Sequence, residues 1–181
     1  MTDPQPADVD APGGPPQPSP ERLRSVMGRF VTGITIMTSV TDDGDSHGMT
    51  ANAVTSVSLE PPLVLVCVDR QAIMSEVVTA SGRFALTFLT ADQQAWSRWF
   101  ADPDRPTGQA QFAPVATGTA VTGSPILTGG LAWVDCQVWA TYDGGDHVIV
   151  VGEVVALGEG SDAAAAPLLY DRGEYALLEV R

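Results

Sequence analysis

The sequence predicts a mainly β fold, a β-barrel with peripheral helices, and three observations carry that prediction. Apolar and β-branched residues alternate in short runs of the kind that half-bury a strand, beginning with Gly33 to Val40 (GITIMTSV). Two longer runs, Leu131 to Tyr142 and His147 to Leu157, flank Asp143-Gly144-Gly145-Asp146 and make the clearest hairpin in the chain. The strand–helix–strand alternation of a parallel nucleotide-binding sheet is missing, as are GxGxxG after a strand and GxxxxGKS/T.

Residues 1–18 hold six prolines and almost no large apolar side chain, the composition of a disordered tail with local polyproline character. The single domain is expected over 19–181. Ser19-Pro20-Glu21 supplies an N-cap, a proline at the first helical position and a first-turn acid, and Leu23, Val26, Met27 and Phe30 recur at helical spacing behind it. Gly33 to Val40 is the first strand, with a turn at Asp42-Asp43-Gly44-Asp45. Ser46 to Ser58 reads as a second strand with an irregular section around Asn52, and Leu63 to Val68 as a continuous apolar strand. A helix over Met74 to Ala80 ends at Gly82, and Phe84 to Leu89 is the next strand. Thr90-x-x-Gln93 resembles a capping box for a helix carrying Trp96, Trp99 and Phe100. Residues 102–130, rich in Gly, Pro and Thr, should be mainly loop. After the hairpin, a last strand is expected around Tyr175 to Val180.

At 181 residues, with 44% hydrophobic and 17% charged residues, the chain can bury one sizeable core. Nine cations face 22 acids, a net charge of −13, and every cation is arginine. Such a surface repels phosphate backbones, which argues against nucleic acid and anionic membranes as partners. An anionic ligand would have to be held by backbone amides and a few placed arginines. Cys67 and Cys136 lie in apolar runs, without a CxxC pair or a sequence-adjacent histidine, so zinc is not expected and both read as free thiols in a reducing compartment. The start of the chain lacks the basic and apolar regions of a secretory signal, and no apolar run nears the roughly 20 residues that span a bilayer. These features predict a cytoplasmic protein.

The stretch Gly48 to Asp69 (GMTANAVTSVSLEPPLVLVCVD) has an unusual composition. Its second half is a buried strand. Its first half packs Thr50, Asn52, Thr55, Ser56 and Ser58 together, a density that fits either a polar strand and turn or a backbone laid against a flat polar ligand.

An ordered set of short pieces resembles the flavin reductase family, the reductase components that supply reduced flavin to two-component monooxygenases. They are Met27-Gly28-Arg29-Phe30-Val31-Thr32-Gly33, His47-Gly48-Met49-Thr50-Ala51-Asn52-Ala53, Thr55 to Pro62, Cys67-Val68-Asp69 and Ser81-Gly82-Arg83-Phe84-Ala85. Gly145-Asp146-His147, Gly152-Glu153-Val154, and Pro167 to Tyr170 with Arg172-Gly173 complete the set. The resemblance covers residues 20–180. It implies an FMN-binding split β-barrel that forms a homodimer, with FMN or FAD at or near the subunit interface. It further implies hydride transfer from NADH or NADPH to the flavin, and a flavin-dependent monooxygenase that receives the reduced flavin by diffusion. Two other functions fit the fold: a non-catalytic flavin- or haem-binding split barrel, and an oxidoreductase that keeps its flavin and acts on another substrate.

Carried over residue by residue, the resemblance assigns flavin contacts to Thr50, Ala51, Asn52 and Ala53, and to Ser56, Val57 and Ser58 through backbone amides. Cys67, Val68 and Asp69 approach the flavin at a strand end; Cys67 is not a redox candidate. Where many relatives place hydroxyls for the flavin phosphate, this chain has Ala72 and Met74, which leaves Arg70, Ser75 and backbone amides at a helix start. Phe100 is a further flavin candidate, although its helical spacing with Trp96 and Trp99 is more often that of core residues. His147, Arg172, Gly173 and Tyr175 match the part near the nicotinamide dinucleotide, and Arg29 is a weaker phosphate or interface candidate. No residue is assigned as an acid or base, because hydride transfer needs stacking and distance.

Overall fold

The computed structural model describes residues 18–178, so all but the last residue of the predicted tail, and the end of the predicted last strand, lie outside the described residues. Helix α1 (Pro20–Met27) starts as its sequence dictates: Ser19 Oγ accepts the Arg22 N–H at 3.2 Å and Pro20 occupies the first turn. None of its residues is buried, and Leu23, Val26, Met27 and the following Phe30 are exposed.

Strand β1 (Thr32–Gly33) belongs to a small sheet described below. The main sheet contains β2 (Thr35–Val40), β3 (Ser46–Ala51), β4 (Val54–Leu59), β5 (Pro62–Asp69), β6 (Arg83–Phe88), β9 (Ala132–Gly144) and β10 (His147–Glu159). Its order is β3-β2-β6-β9-β10-β5-β4, with each neighbour antiparallel. The β9–β10 hairpin is its spine, running in register from His147–Gly144 to Glu159–Ala132 with two shifts. Helix α2 (Ile73–Ser81) follows β5 and ends at Gly82, whose left-handed φ of 65° is the conformation glycine adopts without steric cost.

Thr90 and Gln93 form the expected capping box, with the Gln93 Oε1 accepting the Thr90 N–H at 3.0 Å. It caps a 3-10 turn (Ala91–Gln93) that runs into α3 (Gln94–Ala101). Residues 102–130 are mostly loop, as expected, with another 3-10 turn at Gly108–Phe112 and a two-residue pair, β7 (Thr117–Gly118) and β8 (Ile126–Leu127).

Period-2 alternation divides the core between the two faces of the sheet. Met37, Val66, Val68, Phe84, Leu86, Cys136 and Val150 pack inside the barrel against Met74 and Val78 of α2. Ile36 and Leu89 face the other way, onto Phe100, Phe112, Leu127 and Leu168. Burial pushes the Cys136 thiol up to about 12, so it is an inert core side chain.

Two expectations are corrected. The single strand read over Ser46 to Ser58 is two strands at opposite edges of the sheet, because the chain leaves the ladder at Asn52-Ala53. The last strand begins earlier, as a hairpin of β11 (Leu169–Asp171) and β12 (Glu174–Ala176), with β1 beside β11. The turn residues Arg172 and Gly173 have φ of 51° and 87°, and Arg172 is the one non-glycine residue with positive φ among the described residues. Among the described residues no helix is long and apolar enough to cross a membrane.

Candidate functional site

The seam between the two edge strands builds the site. β3 ends at Ala51, whose carbonyl accepts the Thr35 hydroxyl at 2.8 Å. The chain then crosses the gap at Asn52-Ala53 and re-enters as β4, which pairs on one side only. The Ala53 carbonyl accepts the Cys67 N–H at 3.0 Å, and Val54 stands opposite Val66. In an antiparallel ladder this register turns the Val54 N–H away from β5, leaving a backbone donor at the open edge.

A cavity of about 900 Å³ opens there, near the upper end of the range for small-molecule sites. Asn52, Ala53, Val54 and Thr55 form one wall with Leu65 and Cys67 of β5. The facing wall comes from α1 and the residues after it, Glu21, Arg24, Ser25 and Met27 to Phe30, with Thr32. Tyr170, Arg172 and Gly173 of the β11–β12 hairpin close one end. The Asn52 amide donates to Thr32 Oγ1 at 3.2 Å and so lies across the join between the walls. The strand side of the cavity is uncharged. Its ionic groups, Glu21, Arg24, Arg29 and Arg172, all belong to the helix and hairpin side.

A smaller cavity of about 190 Å³ shares Asn52 and Tyr170 with the first and adds Ile34, Thr50, Ser97, Ala101 and Tyr175. Its walls are fixed by the Thr50 hydroxyl on the Ser97 carbonyl at 2.6 Å and by Tyr175 Oη with Ser97 Oγ at 2.9 Å. Tyr170 and Tyr175 meet edge to face at 5.8 Å.

The structure brings together Asn52, Ala53, Cys67, Arg172 and Gly173 at the large cavity, and Thr50, Asn52 and Tyr175 at the small one. The other sequence candidates lie elsewhere. Ala51 is buried behind the seam, and Val68 is fully buried in the barrel. Ser56, Val57 and Ser58 run on along β4 beyond both cavities. Asp69 Oδ1 accepts the Gln71 N–H at 2.8 Å, a turn of the chain rather than a cavity contact.

Arg70 is spent on the β9–β10 hairpin, giving Nε to the Gly145 carbonyl at 2.7 Å and Nη2 to Asp143 at 2.6 Å. Ser75 is buried in the first turn of α2, and its N–H bonds to the Ala72 carbonyl. Phe100 is 1% exposed and packs against Phe112 with ring centres 5.5 Å apart. A Cβ on Gly48 would lie 2.8 Å from its ring, so that glycine is what lets β3 lie over it.

His147 pairs through Nδ1 with Asp146 at 2.7 Å, at the hairpin tip, and does not line either cavity. The Asp146 carboxyl is held below its usual range by the His147 hydrogen bond and charge, and less strongly by Arg24.

Sequence reading missed the role of α1. In the sequence Glu21, Arg24 and Ser25 read only as parts of a short helix and Leu65 only as a strand residue, whereas Thr55 belongs to the polar cluster that fits a ligand. The signal in the sequence is that three of the nine arginines of a lysine-free chain, Arg22, Arg24 and Arg29, lie in or just after one short helix. Among the described residues no group of three or more His, Cys, Asp and Glu side chains could hold a metal ion.

The barrel thus carries a wide cavity at its seam, uncharged on the strand side and lined by three arginines and one glutamate on the helix and hairpin side. The chain belongs to the family described as flavin reductase like domain, whose model matches residues 27–179. It is 44% identical over 136 residues, 74% of this chain and 73% of the relative, to an NADH-dependent FAD reductase from Streptomyces globisporus. It is 40% identical over 165 residues, 90% of this chain and 84% of the relative, to the flavin-dependent monooxygenase reductase subunit HsaB of Mycobacterium tuberculosis. The structure of BorF, the flavin reductase component of a bacterial two-component tryptophan halogenase, matches with a TM-score of 0.82 and 37% identity. That match covers 90% of this chain and all of BorF. The split-barrel architecture expected from the sequence agrees with these neighbours.

Proposed function

We propose that this chain is an NADH-dependent flavin reductase that passes reduced FAD or FMN to a flavin-dependent monooxygenase. The observation that carries the reading is the seam cavity of about 900 Å³, lined by Asn52 to Thr55 in a member of this family. The names of the relatives support NADH over NADPH and FAD as an accepted flavin. Cytoplasmic location and a homodimer are part of the proposal. The exposed apolar residues of α1, and Val57 and Leu59 on the edge strand, offer a second copy a surface close to the cavity.

The donor set fits a flavin. Asn52 offers an amide with both donor and acceptor atoms, Thr55 a hydroxyl, and Val54 an outward N–H along one edge. Leu65 and Cys67 supply an uncharged surface that suits an aromatic ring and keeps water from beneath it. When bound, a flavin supplies the two-electron acceptor for the hydride of the nicotinamide. Backbone donors and Asn52 along one edge of the ring would stabilise the negative charge that reduction places there. Ala53 keeps the wall low enough for close approach, and no side chain of the cavity has to move a proton. Thr50 and Tyr175 fix the adjoining small cavity, which extends the site beyond Asn52. His147 is proposed at the rim, as a contact for the nicotinamide side rather than for the flavin.

Anaerobic mixing of NADH and excess free FAD or FMN with a trace of protein tests the activity. Many turnovers of flavin bleaching are expected. One turnover per bound flavin would instead support a retained prosthetic group, and none would leave a binding protein. Asn52→Ala is expected to weaken flavin binding roughly tenfold, the loss of one well-placed hydrogen bond and its partner's desolvation. An unchanged Kd removes Asn52 from the ring site. His147→Ala is expected to raise the KM for NADH while the flavin Kd stays put, and unchanged kinetics remove His147.

A further inference from the structure

Four of the arginines are built into the fold. Arg70 ties β5 to the hairpin turn, Arg83 bonds the Val40 carbonyl and Asp42, and Arg105 bonds the Gly48 and Asp102 carbonyls. Arg98 lies 5.0 Å from the centre of the Tyr175 ring. Three others, Arg24, Arg29 and Arg172, line one cavity from its helix and hairpin side. In a lysine-free chain of net charge −13, three arginines against one acid, Glu21, in the lining of one space make a local cationic excess that suits an anion.

We propose that Arg24, Arg29 and Arg172 form one anion subsite that receives the diphosphate bridge of a dinucleotide, with α1 as the element that seats on it. The inference rests on the reading of the cavity as the cofactor cleft, and it moves the phosphate end away from Arg70 and Ser75. A diphosphate carries two negative charges on several oxygens, the acceptor pattern that paired guanidinium forks match. The local acids do not fill that role. Glu21 and Asp146 are fully solvated carboxylates within the influence of Arg24, and Asp171 stands 3.7 Å from Arg172 Nε. Exposed pairs of this kind are weak and easily displaced.

The backbone couples the two sides of the subsite. The Arg172 N–H donates to the Gly28 carbonyl at 2.7 Å, and a Cβ on Gly28 would lie 3.5 Å from Arg172 Cα and 3.0 Å from the Arg24 carbonyl. Arg172 is held with positive φ at that joint, a position where strain persists only if the surroundings impose it. Helix α1, with no buried residue of its own, would gain its fixed seat when an anion joins its arginines to the hairpin.

Both NADH and FAD carry a diphosphate, FMN a single phosphate, and riboflavin none, so the ligands separate the sources. Equilibrium binding of riboflavin, FMN, FAD and ADP-ribose is measured on the full chain and on R24Q, R29Q and R172Q. R22Q serves as control, because Arg22 shares the helix but does not line the cavity. R24Q and R29Q are expected to weaken one diphosphate ligand roughly tenfold each, the range of a lost charge-assisted hydrogen bond, with riboflavin unchanged. A loss confined to ADP-ribose assigns the subsite to the nicotinamide dinucleotide, and one confined to FAD assigns it to the flavin.

A readout independent of turnover is tryptic cleavage after Arg24 and Arg29, which the diphosphate ligand should slow in the wild type and not in R172Q. FAD and ADP-ribose affinities within twofold of wild type in all three variants overturn the proposal. Failure of riboflavin to bind the wild type would overturn the ring site instead, and ADP-ribose would still test the arginines.

Discussion

Phe84→Ala is expected to cost about 3–5 kcal/mol of unfolding free energy, the range for emptying the site of a fully buried aromatic ring. Phe84 is completely buried on β6, and its backbone pairs with Cys136 of β9. Its ring reaches over Cys136 to Gly152 on β10, where a Cβ would lie 2.4 Å from the ring tip and 2.9 Å from the Cys136 Cβ. Gly152 sits at one of the two register shifts of the hairpin, so the missing side chain and the irregular ladder occur together, and the ring fills what the glycine leaves. Gly152→Ala should therefore cost about 1–3 kcal/mol by overpacking. Phe84→Leu combined with Gly152→Ala should cost less than the sum of the two single changes. Urea unfolding of the four proteins makes the cycle. Strict additivity would show that the ring and the glycine do not share one space.

That cluster also illustrates what can be read before the fold is known. The turn at Asp143 to Asp146, the Thr90–Gln93 capping box and the Gly82 stop all depend on residues within a few positions of one another, and each stands where local chemistry put it. The seam does not have that character. Ser46 to Ser58 has enough alternation to read as one strand, and only the closure of seven strands, with β3 and β4 at opposite edges, makes Asn52-Ala53 a crossing between them. The resemblance leaves Arg70 to the flavin phosphate, whereas its partner in the fold, Asp143, lies 73 residues away in sequence. The spacing of Phe100 with Trp96 fits a core residue as well as a ligand contact, and only the approach of Phe112 and Gly48 decides for the core. Family order located the wall of the cavity at Asn52 and Ala53, because order compresses long-range information that a single segment lacks. It did not locate the charges on α1, since Arg24 precedes the pieces in which the resemblance is strongest.

A second large effect is expected from pH, through a histidine that the proposed chemistry does not use. His47 is 8% exposed on β3, and its Nε2 lies 3.5 Å from Arg105. Burial first, and the Arg105 charge second, push its pKa from 6.5 down to about 4, against a smaller opposing pull from Asp45. Arg105 cannot yield, because it holds the Gly48 carbonyl and its own Nε is buried without a partner. The Gln111 side chain completes the lock, accepting the Gly48 N–H at 2.9 Å and donating to the Ser46 carbonyl at 3.0 Å. The unfolded chain thus takes up the His47 proton near pH 6.5, whereas the folded chain resists until about pH 4. The stability this neutral histidine contributes is complete above pH 6.5 and is lost as the pH falls from there towards 4, to a limit of about 3 kcal/mol. Between pH 7 and 5.5, where few carboxylates titrate, the expected loss is roughly 1 kcal/mol. His47→Gln keeps an acceptor for Arg105 and removes the proton, so its urea midpoint should fall less over that interval than that of the wild type. Equal slopes would mean that His47 is accommodated as a cation, and that the Arg105 contact does not hold β3 on its loop in the way the geometry requires.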